Sequence, residues 1–266
     1  MDIIPATLPS PQARPPRRHW PLMTTTTARA AEKTGSPSRQ PLPRRKQEDR
    51  SRDARERLLS ATIEVLLQRG YNGLTTKEVA KTAGMSNGAL MHHYATKGEL
   101  VIAATKAVYD EWILRGQRIA RTPEAVEHPL EGFISDSTSV YFDWPYFAAL
   151  EVVIVARTDE ALMRHIVPVM EHYRETTNAL WLEVFRKAGY SETDAQSILN
   201  LTLNMVRGMG INRIWKHDDA RYRALLKDWV ALVNKQFGPP KARAQAAPVV
   251  KPAAKAAARK RQPRPS

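Results

Sequence analysis

An all-α fold is the architecture that this 266-residue sequence predicts for its central part. Between Ser51 and Phe237 the apolar residues recur at spacings of three and four, as on the buried side of a helix. No stretch in that range shows the sustained alternation of apolar and polar residues that marks a half-buried strand. Hydroxyl side chains at Thr75, Ser86 and Thr96 stand where they can cap helix N-termini. Together these patterns predict about nine helices.

The first helix is predicted from about Ser51 to Arg69, with Gly70 as its C-terminal stop. A short second helix should follow from about Thr76 to Ala83. Gly84 then makes a turn, and a third helix should run from Asn87 to Tyr94.

Two capping boxes support these starts. Thr75 with Glu78, and Thr96 with Glu99, each pair a hydroxyl with a carboxylate three residues later, so that side chains can satisfy the free amides at a helix start. The second box begins a fourth helix, which we expect to run from about Lys97 to Arg118.

The rest of the chain predicts longer helices. Pro123 and Pro129 indicate a loop, and Pro168 should kink or split the helix that contains it, because proline lacks the amide donor and clashes with the preceding turn. The expected helices cover roughly residues 128–142, 145–156, 160–188, a segment starting near 191, and 218–237.

The net charge of +14 is located at the two ends of the chain. Residues 1–50 hold ten Lys and Arg against four acidic residues, and residues 238–266 hold eight against none. Residues 51–237 hold 23 of each sign and are neutral. Both ends are rich in Pro and small residues, so we predict a disordered basic N-terminal arm over residues 1–50 and a disordered Lys/Ala/Pro/Arg tail over residues 238–266. The arms are interpreted either as DNA-binding extensions that release counterions or as solvated tails without a dedicated role.

Several classes of protein are excluded or disfavoured. The sequence contains no cysteine, which excludes disulfides and thiolate chemistry. It has no apolar run of membrane-spanning length, no signal-peptide pattern and no phosphate-binding loop, so we expect a cytoplasmic, nucleoid-associated protein that is not an enzyme. The adjacent pair His92 and His93 cannot place both rings on one helix face, and neither a metal nor a cofactor is expected.

The segment from Thr76 to Ala95 has the geometry of a helix-turn-helix. Val79, Met85 and Leu90 should form its small core, and the opposite face of the second helix of the motif should read DNA bases in the major groove. The predicted base-reading residues are Asn87, Gly88, Ala89, Met91, His92 and His93, and the predicted phosphate contacts are Thr75, Thr76 and Lys97.

The run Val-Ala…Ala-Gly-Met-Ser-x-Gly-x-Leu-x-x-His-Tyr-x-x-Lys-x-x-Leu, preceded by Arg69-Gly70-Tyr71, resembles the DNA-binding domain of the TetR family of transcriptional regulators. Met91 stands where the family usually has Tyr, and Tyr94 where it usually has Phe. The resemblance implies a DNA-binding domain over residues 51–100 and an effector-binding and dimerisation domain over residues 101–237. It further implies a homodimer that binds a palindromic operator, usually as a repressor, and that responds to a small-molecule effector.

In the predicted effector-binding domain, only residue patterns indicate which side chains could form a pocket or an interface. Aromatic residues concentrate in the middle of this domain, where they predict either an apolar effector pocket or an ordinary core. The last two helices carry more apolar residues than packing along one helix contact would need. This excess predicts either a dimer interface or a broad core face. The pocket candidates are Trp112, Phe133, Tyr141, Phe142, Trp144, Phe147, Tyr173 and Trp181, and the interface candidates are Ile198, Thr202, Met205, Val206, Met209, Tyr222, Leu226, Trp229 and Val233.

Two other functions stay open at this point. One is a nucleoid-type protein whose basic arms bind DNA largely without sequence preference. The other is a helical ligand sensor that acts through protein partners and has no role on DNA.

Overall fold

A computed structural model describes residues 44–238, which are helical with short connections. The described part of the chain contains ten helices and no strand, which confirms the all-α prediction and adds one helix to the expected number. The helices are α1 (Arg44–Gly73), α2 (Thr76–Thr82), α3 (Asn87–His93), α4 (Lys97–Ile119), α5 (Pro123–Glu127), α6 (Pro129–Tyr141), α7 (Trp144–Ala156), α8 (Glu160–Lys187), α9 (Glu192–Asn212) and α10 (Asp219–Phe237).

The three predicted N-caps are confirmed. The hydroxyl oxygens of Thr75, Ser86 and Thr96 accept hydrogen bonds from backbone amides three residues later, at 3.1 to 3.2 Å. Glu99 accepts a hydrogen bond at 2.9 Å from the amide of Ala95, one residue before the N-cap Thr96, so it binds the start of α4 without closing the box at Thr96 itself. At α2 the box is incomplete, because Glu78 pairs with Arg69 instead.

Helix α1 starts seven residues before the predicted position. Residues 44–50 of the predicted disordered arm are therefore helical, and that part of the prediction is wrong. The remaining residues of the two predicted arms, 1–43 and 239–266, lie outside the described part of the chain. The predicted stop at Gly70 is confirmed by its backbone, which breaks the helix with φ of 67°.

The prediction of a loop at Pro123 was wrong, and so was the prediction that Pro168 could split its helix. Pro123 lies in the first turn of α5 rather than in a loop. Amides in the first turn have no acceptor within the helix, so the missing amide of proline costs no hydrogen bond there. Pro168 lies inside α8, which continues as one helix across it. Packing on both sides of that position holds the helix together, since Ile166 and Tyr173 are both buried.

The helices pack around a core that extends from α1 to α10. Helix α4 lies against α1 on one side and α8 on the other, while α6 packs on α9 and α7 packs on α1. The predicted domain boundary at residues 100 and 101 falls inside α4, so this helix is common to both predicted domains. No single helix in the described range is long and apolar enough to cross a membrane, although α6 and α7, bent by 67°, pass that test as a pair.

Candidate DNA-binding helix and effector cavity

The turn between α2 and α3 is fixed by local interactions. Gly84 has φ of +65°, a conformation that favours glycine, and an added Cβ would lie 3.2 Å from Arg57 of α1. The same guanidinium donates to the carbonyl of Ala83, so α1 holds the turn in place. Val79 and Leu90 are fully buried between the two helices, as the sequence predicts.

The outer face of α3 is exposed. Asn87, Gly88, Met91 and His92 are exposed, while Ala89 and His93 are half-buried. Leu90 is buried, so the four exposed candidates lie on the part of α3 that faces away from the core, and Ala89 and His93 lie at its borders. A seven-residue helix with a capped N-terminus and an exposed outer face can lie in the DNA major groove with its N-terminal residues at the base edges.

The predicted phosphate contacts differ in how free they are. Thr75 is exposed and its hydroxyl caps α2, while Thr76 is half-buried. Lys97 donates to the carbonyl of Tyr71 at 2.5 Å, and its Nζ lies 4.2 Å from the centre of the Tyr71 ring. Partial burial lowers the pKa of Lys97. Lys97 thus already has a structural role, in which it ties α4 to the end of α1.

A basic residue near α3 was missed from the sequence. Partial burial lowers the pKa of the His93 imidazole, and the positive charge of Arg55, on α1, lowers it further. Arg55 is exposed, so α1 adds a cation beside α3. Its position follows from the packing of α1 against α2, which no local pattern indicates.

A cavity of about 510 Å³ lies in the effector region, lined by residues of α4, α6, α7, α8 and α9. Four of the eight pocket candidates line it, namely Trp112, Phe133, Tyr141 and Tyr173. Its volume is within the range of small-molecule sites, and its wall is mostly apolar and aromatic.

The other four pocket candidates do not line this cavity, and the prediction was wrong for them. Phe142 is fully buried under the guanidinium of Arg213, and Trp181 is fully buried and donates to Asp136 at 2.8 Å. Trp144 and Phe147 are partly buried against the core. These four rings fill space between helices.

Tyrosine hydroxyls contribute to the polar part of the wall. Its other polar residues are Glu171, Arg174, Thr177, Asn178, Gln196, Asn200 and Arg207. Burial raises the pKa of Tyr109 and Tyr173 well above the ordinary value and that of Tyr146 to about 12. These groups are therefore neutral donors and acceptors near neutral pH. Tyr109 and Tyr146 were absent from the sequence prediction, as was Arg207, which also lines the cavity.

The predicted dimer interface needs correction. Most of its candidates belong to the core of the chain itself, because the apolar stripes of α9 and α10 face their own neighbours. Trp229 and Met205 are half-buried, and Trp229 donates to the hydroxyl of Thr202 at 2.8 Å, which joins the two helices. The residues that are buried, and so unavailable to a partner, are Ile198, Thr202, Val206, Met209, Tyr222, Leu226 and Val233.

Other apolar residues of these two helices are exposed. Leu201 of α9 is 58% exposed, and Leu225 and Leu232 of α10 are 41% and 60% exposed. Leu225 and Leu232 are seven residues apart, so they share one face of α10.

Comparisons with known proteins agree with this geometry. Residues 58–104 match the family model described as bacterial regulatory proteins, tetR family. The HTH-type transcriptional regulator CymR from Pseudomonas putida is 27% identical over 194 residues, which cover 73% of this chain and 96% of that protein. The structure of a transcriptional regulator from Rhodococcus sp. Rha1 superposes with a TM-score of 0.57 at 20% identity, covering 69% of this chain and 97% of that one. A regulator from Saccharomonospora viridis, in complex with choline, superposes with a TM-score of 0.55 at 17% identity, covering 68% and 96%.

The capped reading helix in an all-helical chain, together with these matches, defines a helix-turn-helix transcriptional regulator that binds DNA. Residues 58–104 are similar to the DNA-binding domain of the TetR family, and much of the rest of the chain is similar to regulators of this kind at lower identity. The comparisons give no support to a nucleoid-type protein that binds DNA without sequence preference.

Proposed function

We propose that this protein is a ligand-responsive repressor that binds a palindromic operator as a homodimer and releases it when a small molecule occupies the cavity. One observation carries the proposal. Helix α4 starts at Lys97, four residues after the end of α3, and the same helix supplies Tyr109 and Trp112 to the cavity wall.

A rigid helix shared by two sites couples them. A ligand that contacts Trp112 favours one position of α4, and DNA favours the position that suits the spacing of two reading helices. If those positions differ, ligand and operator weaken each other by the same factor.

Base contacts in this proposal come from the outer face of α3, with Asn87 and His92 in the leading roles. Asn pairs bidentately with adenine, and a histidine ring can donate or accept. Phosphate contacts come from Thr75, Thr76 and Lys97, to which we add Arg55.

The direct test is footprinting on the intergenic DNA beside the gene, followed by binding measurements at fixed salt concentration. We expect a symmetric protected site that binds at least about a thousandfold more tightly than random DNA. An equal affinity for operator and random DNA would contradict the proposal.

Homodimerisation is proposed through the exposed apolar face of α9 and α10. A Leu225→Glu and Leu232→Glu double variant places two carboxylates where the partner would pack, so we expect a monomer in sedimentation equilibrium. Val126 of α5 is 53% exposed and lies on a different helix, which makes Val126→Glu the matched control. A double variant that stays dimeric would show that the interface lies elsewhere.

A further inference from the structure

Among the described residues, the cavity wall holds two arginines, Arg174 and Arg207, and one carboxylate, Glu171. Glu171 and Arg174 are exposed, so Arg207 is the charged group of the wall that is partly buried. Arg207 of α9 is half-buried, and its guanidinium carbon lies 5.4 Å from the centre of the Tyr141 ring. Its Nη2 donates a long hydrogen bond of 3.4 Å to the Tyr141 hydroxyl. The groups that act electrostatically on Arg207 are the hydroxyls of Tyr141, Tyr146 and Tyr173, and no carboxylate is among them. A guanidinium thus faces an apolar cavity without an anionic partner from the described residues.

Two further donors in the wall lack partners. Trp112 Nε1 and Tyr146 Oη are buried, and within residues 44–238 neither makes a hydrogen bond. Both residues line the cavity. An indole N–H can only donate, and an unpaired buried donor destabilises the protein until a partner reaches it. Most of these unpaired groups are therefore hydrogen-bond donors. A ligand with acceptor oxygens would provide their missing partners.

The donors are not spread evenly. The rings of Tyr141 and Tyr146 are 4.9 Å apart, and both hydroxyls interact with Arg207, so these three residues form one polar end. The apolar part of the wall includes Leu150, Val153, Met170, Leu199 and Leu203. An aromatic or aliphatic body suits that apolar part.

Resting on the effector cavity of the proposed function, we propose that its ligand is a small aromatic or apolar monocarboxylate whose carboxylate binds Arg207 and Tyr146. A carboxylate matches the fork of a guanidinium, and its negative charge offsets that of the partly buried Arg207. A quaternary ammonium such as the choline bound by the Saccharomonospora viridis regulator would meet a like charge at Arg207, and the only carboxylate among the described residues of the wall, Glu171, is exposed.

The experiment compares matched ligands and matched variants by isothermal titration calorimetry. The ligands are benzoate, naphthalene-2-carboxylate and decanoate, each with its neutral primary amide, and naphthalen-2-ylmethylamine as the cation. The variants are Arg207→Gln, Arg207→Lys and Tyr146→Phe. Arg164→Gln removes a 70% exposed guanidinium from α8 and serves as the control.

We expect at least one carboxylate to bind the wild type roughly ten- to a hundredfold more tightly than its amide, as charged hydrogen bonds imply. Arg207→Gln should abolish that preference, Arg207→Lys should keep part of it, and Tyr146→Phe should reduce it several-fold. Arg164→Gln should leave it unchanged. Circular dichroism melts establish whether each variant is folded. If Arg207→Gln does not fold, Tyr146→Phe still tests the proposal, because it removes the hydroxyl and keeps the ring.

The proposal is overturned if every amide binds as tightly as its carboxylate, if the amine binds most tightly, or if Arg207→Gln retains the carboxylate preference. Operator binding is measured on the same preparations without ligand. Loss of carboxylate preference with intact operator binding refutes only this inference. A carboxylate preference in a protein that has no operator refutes the proposed repressor function and supports the ligand class.

Discussion

The reading helix and the effector cavity belong to one chain but are built in opposite ways. The proposed reading surface lies on a single seven-residue helix, whose N-terminus is capped by the adjacent Ser86. The cavity is lined by five helices whose contributing residues extend from Tyr109 to Arg207. A surface made by neighbours in sequence leaves a local signature, whereas a cavity made by distant helices depends on how those helices pack. Four predictions test how independent the two regions are.

The largest effect is expected from Leu90→Ala. Leu90 is fully buried between α2 and α3, and truncating such a leucine costs about 2–5 kcal/mol. Hydrogen exchange should show faster opening of α2 and α3, and operator affinity should fall, while ligand binding in the cavity persists. Met91→Ala changes the exposed neighbour and should leave exchange near wild type. A parallel loss of ligand binding would show that the regions do not unfold separately.

The next effect belongs to the effector region and depends on pH. Burial raises the pKa of Asp136 to about 6 from 3.8, against the opposing hydrogen bond from Trp181. Between about pH 4 and pH 6 the folded protein keeps a proton that the unfolded chain has lost, so stability falls as pH rises through this window.

Asp136→Asn should remove that dependence. Relative to the variant, the wild type should lose up to about 3 kcal/mol of unfolding free energy between pH 4 and pH 7. Urea titrations at the two pH values measure the difference. Equal pH dependence in both proteins would mean that Asp136 is ionised across the whole range.

Base reading should respond to Asn87→Ala and His92→Ala. Each lost base contact should reduce discrimination between operator and its point variants by about 1–3 kcal/mol, because such contacts distinguish bases by that amount. Competition binding at constant salt measures the ratio. His172→Ala removes an exposed histidine from α8 and is the matched control. Unchanged base preference in both α3 variants would place the reading surface elsewhere.

The smallest effect compares two caps of the same kind. Ser86 caps α3 and Ser191 caps α9, each through an amide hydrogen bond of 3.1 Å. Replacing either by alanine should cost about 1 kcal/mol of stability. Only Ser86→Ala should also weaken operator binding, because it frees the N-terminus of the reading helix. Equal effects on DNA binding would contradict the separation of the two regions.

The same contrast explains what the sequence could and could not predict. The starts of α2, α3 and α4 were predictable because Thr75, Ser86 and Thr96 bond amides three residues away. The start of α5 was missed, although Thr122 caps it, because Pro123 was interpreted as a loop residue rather than as a first-turn residue.

Burial partners were not predictable in the same way. The stripe containing Ile198 and Val206 showed that a face of α9 is buried, but amphipathicity does not say whether the chain or a second copy covers it. Trp181 and Trp112 were equivalent as aromatic residues, and only helix packing directs Trp112 to the cavity. Arg207 was missed because a charged side chain on a helix is usually exposed to solvent and does not usually line a cavity.

Helix α7 has a consequence for how new ligand specificities can arise. The carboxylate of Glu151 accepts a hydrogen bond from the amide of Tyr71 at 2.7 Å, beside Gly70. Leu150 and Val153, its neighbours on α7, line the cavity. One turn of α7 therefore carries both part of the cavity wall and the contact that holds the end of α1. Selection for a new inducer and selection for a working response act on the same turn of helix.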